Sequence, residues 1–251
     1  MRRMKIIFYS ALFGNYDVAP KVNKNIPKKY KFILFTDQKN ILARGYDVIQ
    51  IKRPDKSAII SNRIIKFKPY EYCDDYQLAV YHDSNIEIKL NFIKYIEKNL
   101  NSFGVINIFR HPKQNNIYAE LSTLFNLGKI NFKMQEMAKK YIESNIKDDS
   151  FFPCSENNIF ITKPTNIKNK HFFDELIYTL KTVISRDQIV LSVLLSKYKI
   201  NYKLYDSLYV DLNKKFFNHK IHKEGLSVKL LNQYKSFANI FMYLYKNSYK
   251  I

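Results

Sequence analysis

Apolar and polar positions along this chain follow two alternating periods. Short unbroken apolar runs recur, each closed by polar or turn-forming residues: "KIIFYSAL" (Lys5–Leu12) before "FGNYD", "YKFILFTD" (Tyr30–Asp37), "YDVIQI" (Tyr46–Ile51), "QLAVYHD" (Gln77–Asp83), "FGVINIFRH" (Phe103–His111) and "NNIFIT" (Asn157–Thr162). Runs of this length and bounding read as strands, the first of them buried. Between them the apolar spacing widens to three and four. From Lys56 to Tyr72, Ile59, Ile60, Ile64, Ile65 and Phe67 predict a helix that Pro69 ends. "LNFIKYIEKNLN", two pieces around Gly128 between Ile117 and Asn145, "KHFFDELIYTLKTVI" and "DQIVLSVLLSKY" read as further helices, and "NYKLYD" as a last short strand. Strands alternating with helices predict an α/β layered domain with a mostly parallel or mixed sheet. With no internal repeat and no Gly/Ser linker before residue 210, residues 1–210 read as one domain and 211–251 as a basic, aromatic segment that lies on a membrane surface or packs back on the domain.

In open α/β sheets ligands sit outside the carboxyl ends of the strands. Asp17, Asp37, Asp83 and the pair Arg110-His111 each follow an apolar run, so their convergence predicts a shared site; polar turns are the alternative source of any single one. If the backbone stays extended through "YHDSNIEI", Asp83 and Asn85 project to one side and offer oxygen ligands suited to Mg2+ or Mn2+. An Asx turn is the plainer reading of the same residues. Alternation sends His82 the other way, into a packing or supporting role. Arg63 and Lys66, one helical step apart, can face one anionic ligand or lie on a helix surface. Asp187 opens a predicted helix, where acidic residues also cap, and Glu156 and Asn157 stand before a strand within reach of a hydroxyl. In "HKIHKEG", His222 lies near Gly225 among lysines and can close over a metal-bound phosphate, or belong to a solvated loop.

Composition narrows the classes. The 251 residues are 46% hydrophobic and 16% aromatic, enough for a sizeable core and against disorder throughout. Lys and Arg outnumber Asp and Glu by 42 to 22, a net charge of +20 that attracts polyanions: nucleic acid, anionic membrane or phosphorylated substrates. Cys73 and Cys154 are far apart and form no CxxC, which argues against a zinc ribbon or disulfide scaffold and fits a reducing compartment. No run approaches the ~18 apolar residues of a membrane span, and the start of the chain lacks a signal-peptide pattern, so a cytoplasmic location is expected. From residue 226 onward, Leu230, Leu231, Tyr234, Phe237, Ala238, Phe241, Leu244 and Tyr245 fall at helical spacing with lysines between. That stretch predicts either a helix on the inner face of an anionic bilayer or a final helix packed on the domain.

Taken in order, these segments resemble the glycosyltransferase-like proteins of bacteria and plants long carried under a domain-of-unknown-function label. "YSALFGNYD" (Tyr9–Asp17) resembles the family's opening strand, Phe35–Asp37 its F-T-D, and "SNRIIKFKPY" its A-R-x-x-K helix with Arg63 and Lys66 kept. "YHDSNIEI" resembles W-x-D-G-N-I-x-I, with Ser84 for the glycine. "RHPKQNNIYAE" keeps His111, Pro112, Tyr118 and Glu120, "ENNIF" has Asn158 for a glycine, and Arg186–Gln188 is an intact R-D-Q.

The resemblance covers about residues 5–205 and implies a GT-A-like, Rossmann-type nucleotide-sugar transferase. By it, Ala11, Phe13, Tyr16 and Asp37 would cradle base and ribose, and Arg63, Lys66 and Asp83 would meet base or phosphate. Asp83 and Asn85 would hold Mn2+ or Mg2+, with His222, from the residue reading above, as a further ligand. Arg110, His111, Glu120, Asn157 and Gln188 would line the sugar and acceptor, with Asp187, and behind it Glu156, as the base of an inverting reaction. The implied donor is a nucleotide-diphosphate sugar, taken as a UDP-sugar. The implied acceptor is a glycan or lipid-linked glycan of capsule or lipopolysaccharide type. A nucleotide-binding scaffold without turnover and a basic nucleic-acid-binding protein are the rival readings. No recognised nucleic-acid motif appears, so no nucleic-acid partner is expected.

Overall fold

Seven strands form one sheet in the order β3-β2-β1-β4-β7-β6-β8. They are β1 (Ile6–Leu12), β2 (Lys31–Thr36), β3 (Asp47–Gln50), β4 (Leu78–His82), β6 (Ile106–Arg110), β7 (Ser155–Thr162) and β8 (Tyr202–Tyr205). The computed structural model describes residues 6–14, 17–114, 116–146, 154–164, 167–198, 200–208, 213–220, 231 and 233–241. Strands β1 to β4 run parallel, β7 is antiparallel to both β4 and β6, and β8 is parallel to β6. The sheet is therefore mixed through one reversed strand, in a Rossmann-like α/β layering.

The apolar runs explain why the central strands are buried on both faces. In β1, Ile7, Tyr9 and Ala11 face one core while Phe8 and Leu12 face another; β4 divides likewise into Ala79 and Tyr81 against Leu78 and Val80. Helices α1 (Ala58–Phe67), α3 (Ile117–Asn126), α4 (Phe132–Asn145), α5 (Ile167–Thr182) and α6 (Asp187–Tyr198) contribute to the first core. On the other face α2 (Leu90–Lys98) inserts Phe92, Ile93 and Ile96. Asparagines open two of these helices: Asn116 accepts from the Ala119 amide and Asn131 from that of Met134, each at 2.9 Å. Gly128, at φ 65°, divides α3 from α4.

Two features depart from the sequence reading. "SENN" does not precede a strand; it begins β7. A second sheet, absent from the expectation, pairs β5 (Ile86–Ile88) with β9 (Phe217–His219) in antiparallel register. Phe217 is buried against Phe92, ring centroids 4.7 Å apart, so packing does not break at residue 210. Residues 213–220 pack on the main body. Among the described residues no helix is long and apolar enough to cross a membrane.

Candidate functional site

The chain order reverses between β1 and β4: β2 and β3 extend one way from β1, and β4 starts the other half of the sheet. A crevice at such a switch point is the usual ligand position in this class of sheet. The reversed direction of β7 matters here, because its first residues lie at the same edge as the carboxyl ends of β4 and β6. Ser155 pairs with Arg110, and the Asp83 amide donates to the Asn158 carbonyl at 3.0 Å. Glu156, Asn157, Asp83 and Arg110 thus share one rim.

On one side of the crevice, Gly14 turns the chain out of β1 at φ 71°, and a Cβ there would approach Ala58 Cβ to 3.3 Å. Its amide donates to Asp37 Oδ1 at 3.0 Å, and the second Asp37 oxygen takes the Arg53 guanidinium. Burial pushes the Asp37 carboxyl up, but Arg53 and the Gly14 amide outweigh that and hold it below the usual range. A cavity of about 870 Å³ opens beside this pair, with Lys52, Arg53, Lys56, Asp37 and Asp55 in its wall. Reasoning from sequence missed Lys52, Arg53 and Lys56. Their signal was present as "IKRPDK" directly after an apolar run at a strand's carboxyl end.

Helix α1 supplies the deeper charges. Ser57 caps it by accepting from the Ile60 amide at 3.3 Å, and the Tyr9 hydroxyl donates to the Lys66 carbonyl at 2.7 Å. Asn62 Oδ1 accepts from the Phe13 amide at 3.2 Å, which joins the helix to the end of β1. Lys66 Nζ then meets Asp187 Oδ2 at 2.7 Å and Arg63 meets Asp187 Oδ1 at 3.1 Å. The spacing allows Arg63 and Lys66 either to face one anionic ligand or to lie on the helix surface; both meet Asp187 within the chain. Lys66 is sealed at 1% side-chain exposure, whereas Arg63 reaches the surface at 21%.

Burial raises the Asp187 carboxyl, yet Arg63 and Lys66 together hold it at about 2. Burial lowers the Lys66 ammonium against the attraction of Asp187. Asp83, at the end of β4, lies in electrostatic reach of Lys66. Glu120, on α3, is pushed up by burial against the pull of Lys129 and Arg186. The structure therefore brings Arg63, Lys66, Asp83, Glu120 and Asp187 into one electrostatic group.

Other expected site residues fall differently. Ala11 and Phe13 are core residues at 1% and 0% exposure, so their side chains face no ligand. His111 Nδ1 accepts from the amides of Lys113 and Gln114 at 3.2 and 2.9 Å and shapes a turn. Arg110 is exposed and Gln188 half-buried. Tyr16 and His222 lie outside the described residues.

Residues Asp83 to Ile86 are not extended: the Ile86 amide bonds back to the Asp83 carbonyl at 3.0 Å in a turn. The extended-chain argument for a shared Asp83–Asn85 face does not hold. Asn85 Nδ2 instead lies 3.0 Å from His219 Nε2, and the Lys220 amide donates to the Asn85 carbonyl at 2.8 Å, so this turn is stitched to β9. Ser84 Oγ donates to Asp17 Oδ2 at 3.3 Å, tying the loops after β4 and β1 across the crevice. His82 points away, as alternation predicted. It bonds the Tyr46 hydroxyl at 2.9 Å, and burial lowers its pKa to about 4.

Among the described residues no cluster of three or more His, Cys, Asp or Glu could hold a metal ion. A carboxylate at Asp83 suits a cation that takes its remaining oxygens from phosphate and water, not a cage built by protein alone. Compared with known proteins, the chain matches no family model, and no curated sequence matches it significantly.

Proposed function

We propose that this chain is a GT-A-like glycosyltransferase that moves a sugar from a nucleotide-diphosphate donor to a glycan or lipid-linked acceptor of surface-polysaccharide type. One observation carries the reading: a cavity at the carboxyl ends of β2 and β3 has Lys52, Arg53 and Lys56 in its wall, and α1, which follows those residues in the chain, carries Arg63 and Lys66 to Asp187. Fixed cations beside an open cleft are what a diphosphate needs, both for binding and for the charge that builds on it as a leaving group. The ordered motif resemblance supplies the sugar.

In this reading Arg63 faces the diphosphate while Lys66 stays buried and holds Asp187 in place. Asp83 is the protein's contribution to a divalent cation, Mg2+ or Mn2+, which when bound would neutralise the diphosphate. Asp187, expected as the base, is a poor proton acceptor at about 2 and is committed to two cations. We therefore assign proton acceptance in an inverting displacement to Glu156, on the same rim as Asp83. The acceptor hydroxyl gives its proton to that carboxylate as its oxygen bonds the anomeric carbon and the carbon–diphosphate bond breaks.

Thermal melting with a panel of nucleoside diphosphates, with and without Mn2+, tests the reading. At about 100 times its dissociation constant one of them should add roughly 2.7 kcal/mol, a melting shift of roughly 5–10 °C, and Asp83→Ala should remove most of it. If no nucleotide at millimolar concentration moves the melt, the proposal fails. Stabilisation without sugar release from any donor, in the presence of glycan acceptors, would select the non-catalytic scaffold that the commitment of Asp187 favours.

A further inference from the structure

Residues 233–241 form a helical segment that meets the body through its polar side. Asn239, buried at 6% exposure, donates to the carbonyls of Phe125 and Ile130 at 3.0 and 2.8 Å. Ser236, three residues earlier on the same face, bonds the Asn126 carbonyl. These bonds add side-chain donors to carbonyls at the end of α3 and in the connection to α4. The aromatic side points outward: Tyr234, Phe237 and Phe241 are 73%, 75% and 70% exposed, and Leu231 is 50% exposed. By the 3.6-residue turn, Tyr234, Phe237 and Phe241 lie on the face opposite Ser236 and Asn239. A helix that completes a core does the reverse, burying its apolar stripe and exposing its amides and hydroxyls.

We infer that this outward aromatic face is a docking surface for an anionic lipid bilayer. Three observations choose that occupant. Three large exposed aromatic side chains on one face of a helix that also carries the exposed Lys235 match the composition of helices that lie in a lipid interface. Residues 226–251 contain Lys229, Lys235, Lys246 and Lys250 and no Asp or Glu, so the charge favours a negative surface. A second copy of the chain is disfavoured, because contact through this face would bring together two molecules each of net charge +20. The inference does not rest on glycosyl transfer, since it uses no residue of the crevice.

Cosedimentation of the full chain with vesicles tests it. Vesicles in which about a third of the lipid is phosphatidylglycerol should pellet the protein at low salt. Pure phosphatidylcholine vesicles should pellet at least about ten-fold less, and high salt should weaken the anionic binding. Replacing Phe237→Ser and Phe241→Ser together should lower binding at least about ten-fold with the melting temperature retained, because both side chains are exposed. Tyr178→Ser, which removes a 66% exposed aromatic residue from α5, should bind as the parent does. The proposal is overturned if the parent chain stays in the supernatant with anionic vesicles at low salt. It is equally overturned if the double variant binds as well as the parent, or if light scattering finds a dimer that the double variant abolishes.

Discussion

Asp187 gains its character from two cations that reach it from one helix. Its carboxyl binds a proton at about 2 in the fold against an ordinary value of 3.8, so the folded state resists protonation where the unfolded chain accepts it. The sign follows: the contribution, about 2 kcal/mol, is present above pH ~4 and is lost as pH falls towards ~2. Urea unfolding between pH 5 and 2 should therefore show an acid limb that Asp187→Asn flattens; parallel profiles for the two proteins would contradict the assignment. At neutral pH the same variant should cost about 3–5 kcal/mol, because Lys66 is left buried without its counter-charge. Arg63, with 21% of its side chain exposed, can turn to solvent instead. The two cations were legible in the sequence only as an i, i+3 pair on one helix side. Their partner was not, because it lies 121 residues from Lys66 and no local pattern marks a long-range ion pair.

At the scale of elements, β9 acts as a strap. Three residues pair it with β5, Phe217 anchors it against Phe92, and His219 and Lys220 hold the turn that carries Asp83. Phe217→Ala should cost about 3–5 kcal/mol in denaturant unfolding, as expected for truncating a buried aromatic. It should also weaken any nucleotide stabilisation by loosening the turn after β4. Stability loss with an unchanged nucleotide response would confine β9 to packing. The strands β1, β2, β4 and β6 were readable because burial on both faces leaves unbroken apolar runs. The β5–β9 pair was not, since three-residue strands from distant parts of the chain carry no period of their own. The start of β7 was read two residues late, at Asn157, because the polar Ser155 and Glu156 precede its apolar run. Within that polar start Ser155 Oγ donates to Asn157 Oδ1 at 2.8 Å. The extended reading of Asp83–Asn85 failed because a strand's alternation says nothing of where the strand stops.

Across the whole molecule the dominant electrostatic fact is the excess of 42 basic over 22 acidic residues. Ion pairs such as Lys68–Glu71 and Lys181–Asp55 are partly exposed, and pairs of that kind contribute at most about 1 kcal/mol each. The repulsion of a +20 charge acts over the whole surface and is felt farther than any one of them at low salt. Raising NaCl from about 10 mM to about 150 mM shortens the screening length from ~30 Å to ~8 Å, so it relieves long-range repulsion more than it weakens close pairs. The melting temperature should rise over that range, by about 2–4 °C for each ~1 kcal/mol recovered. A fall would mean that the close pairs, not the net charge, set the balance. The same titration run with phosphate at matched ionic strength separates screening from occupancy. Screening depends on ionic strength alone, whereas an anion seated beside Lys52, Arg53 and Lys56 adds binding free energy that chloride lacks. A larger rise with phosphate, lost in Arg53→Ala, would locate that binding in the cavity beside Asp37. Equal rises with both salts would leave the basic surface acting only as a diffuse field.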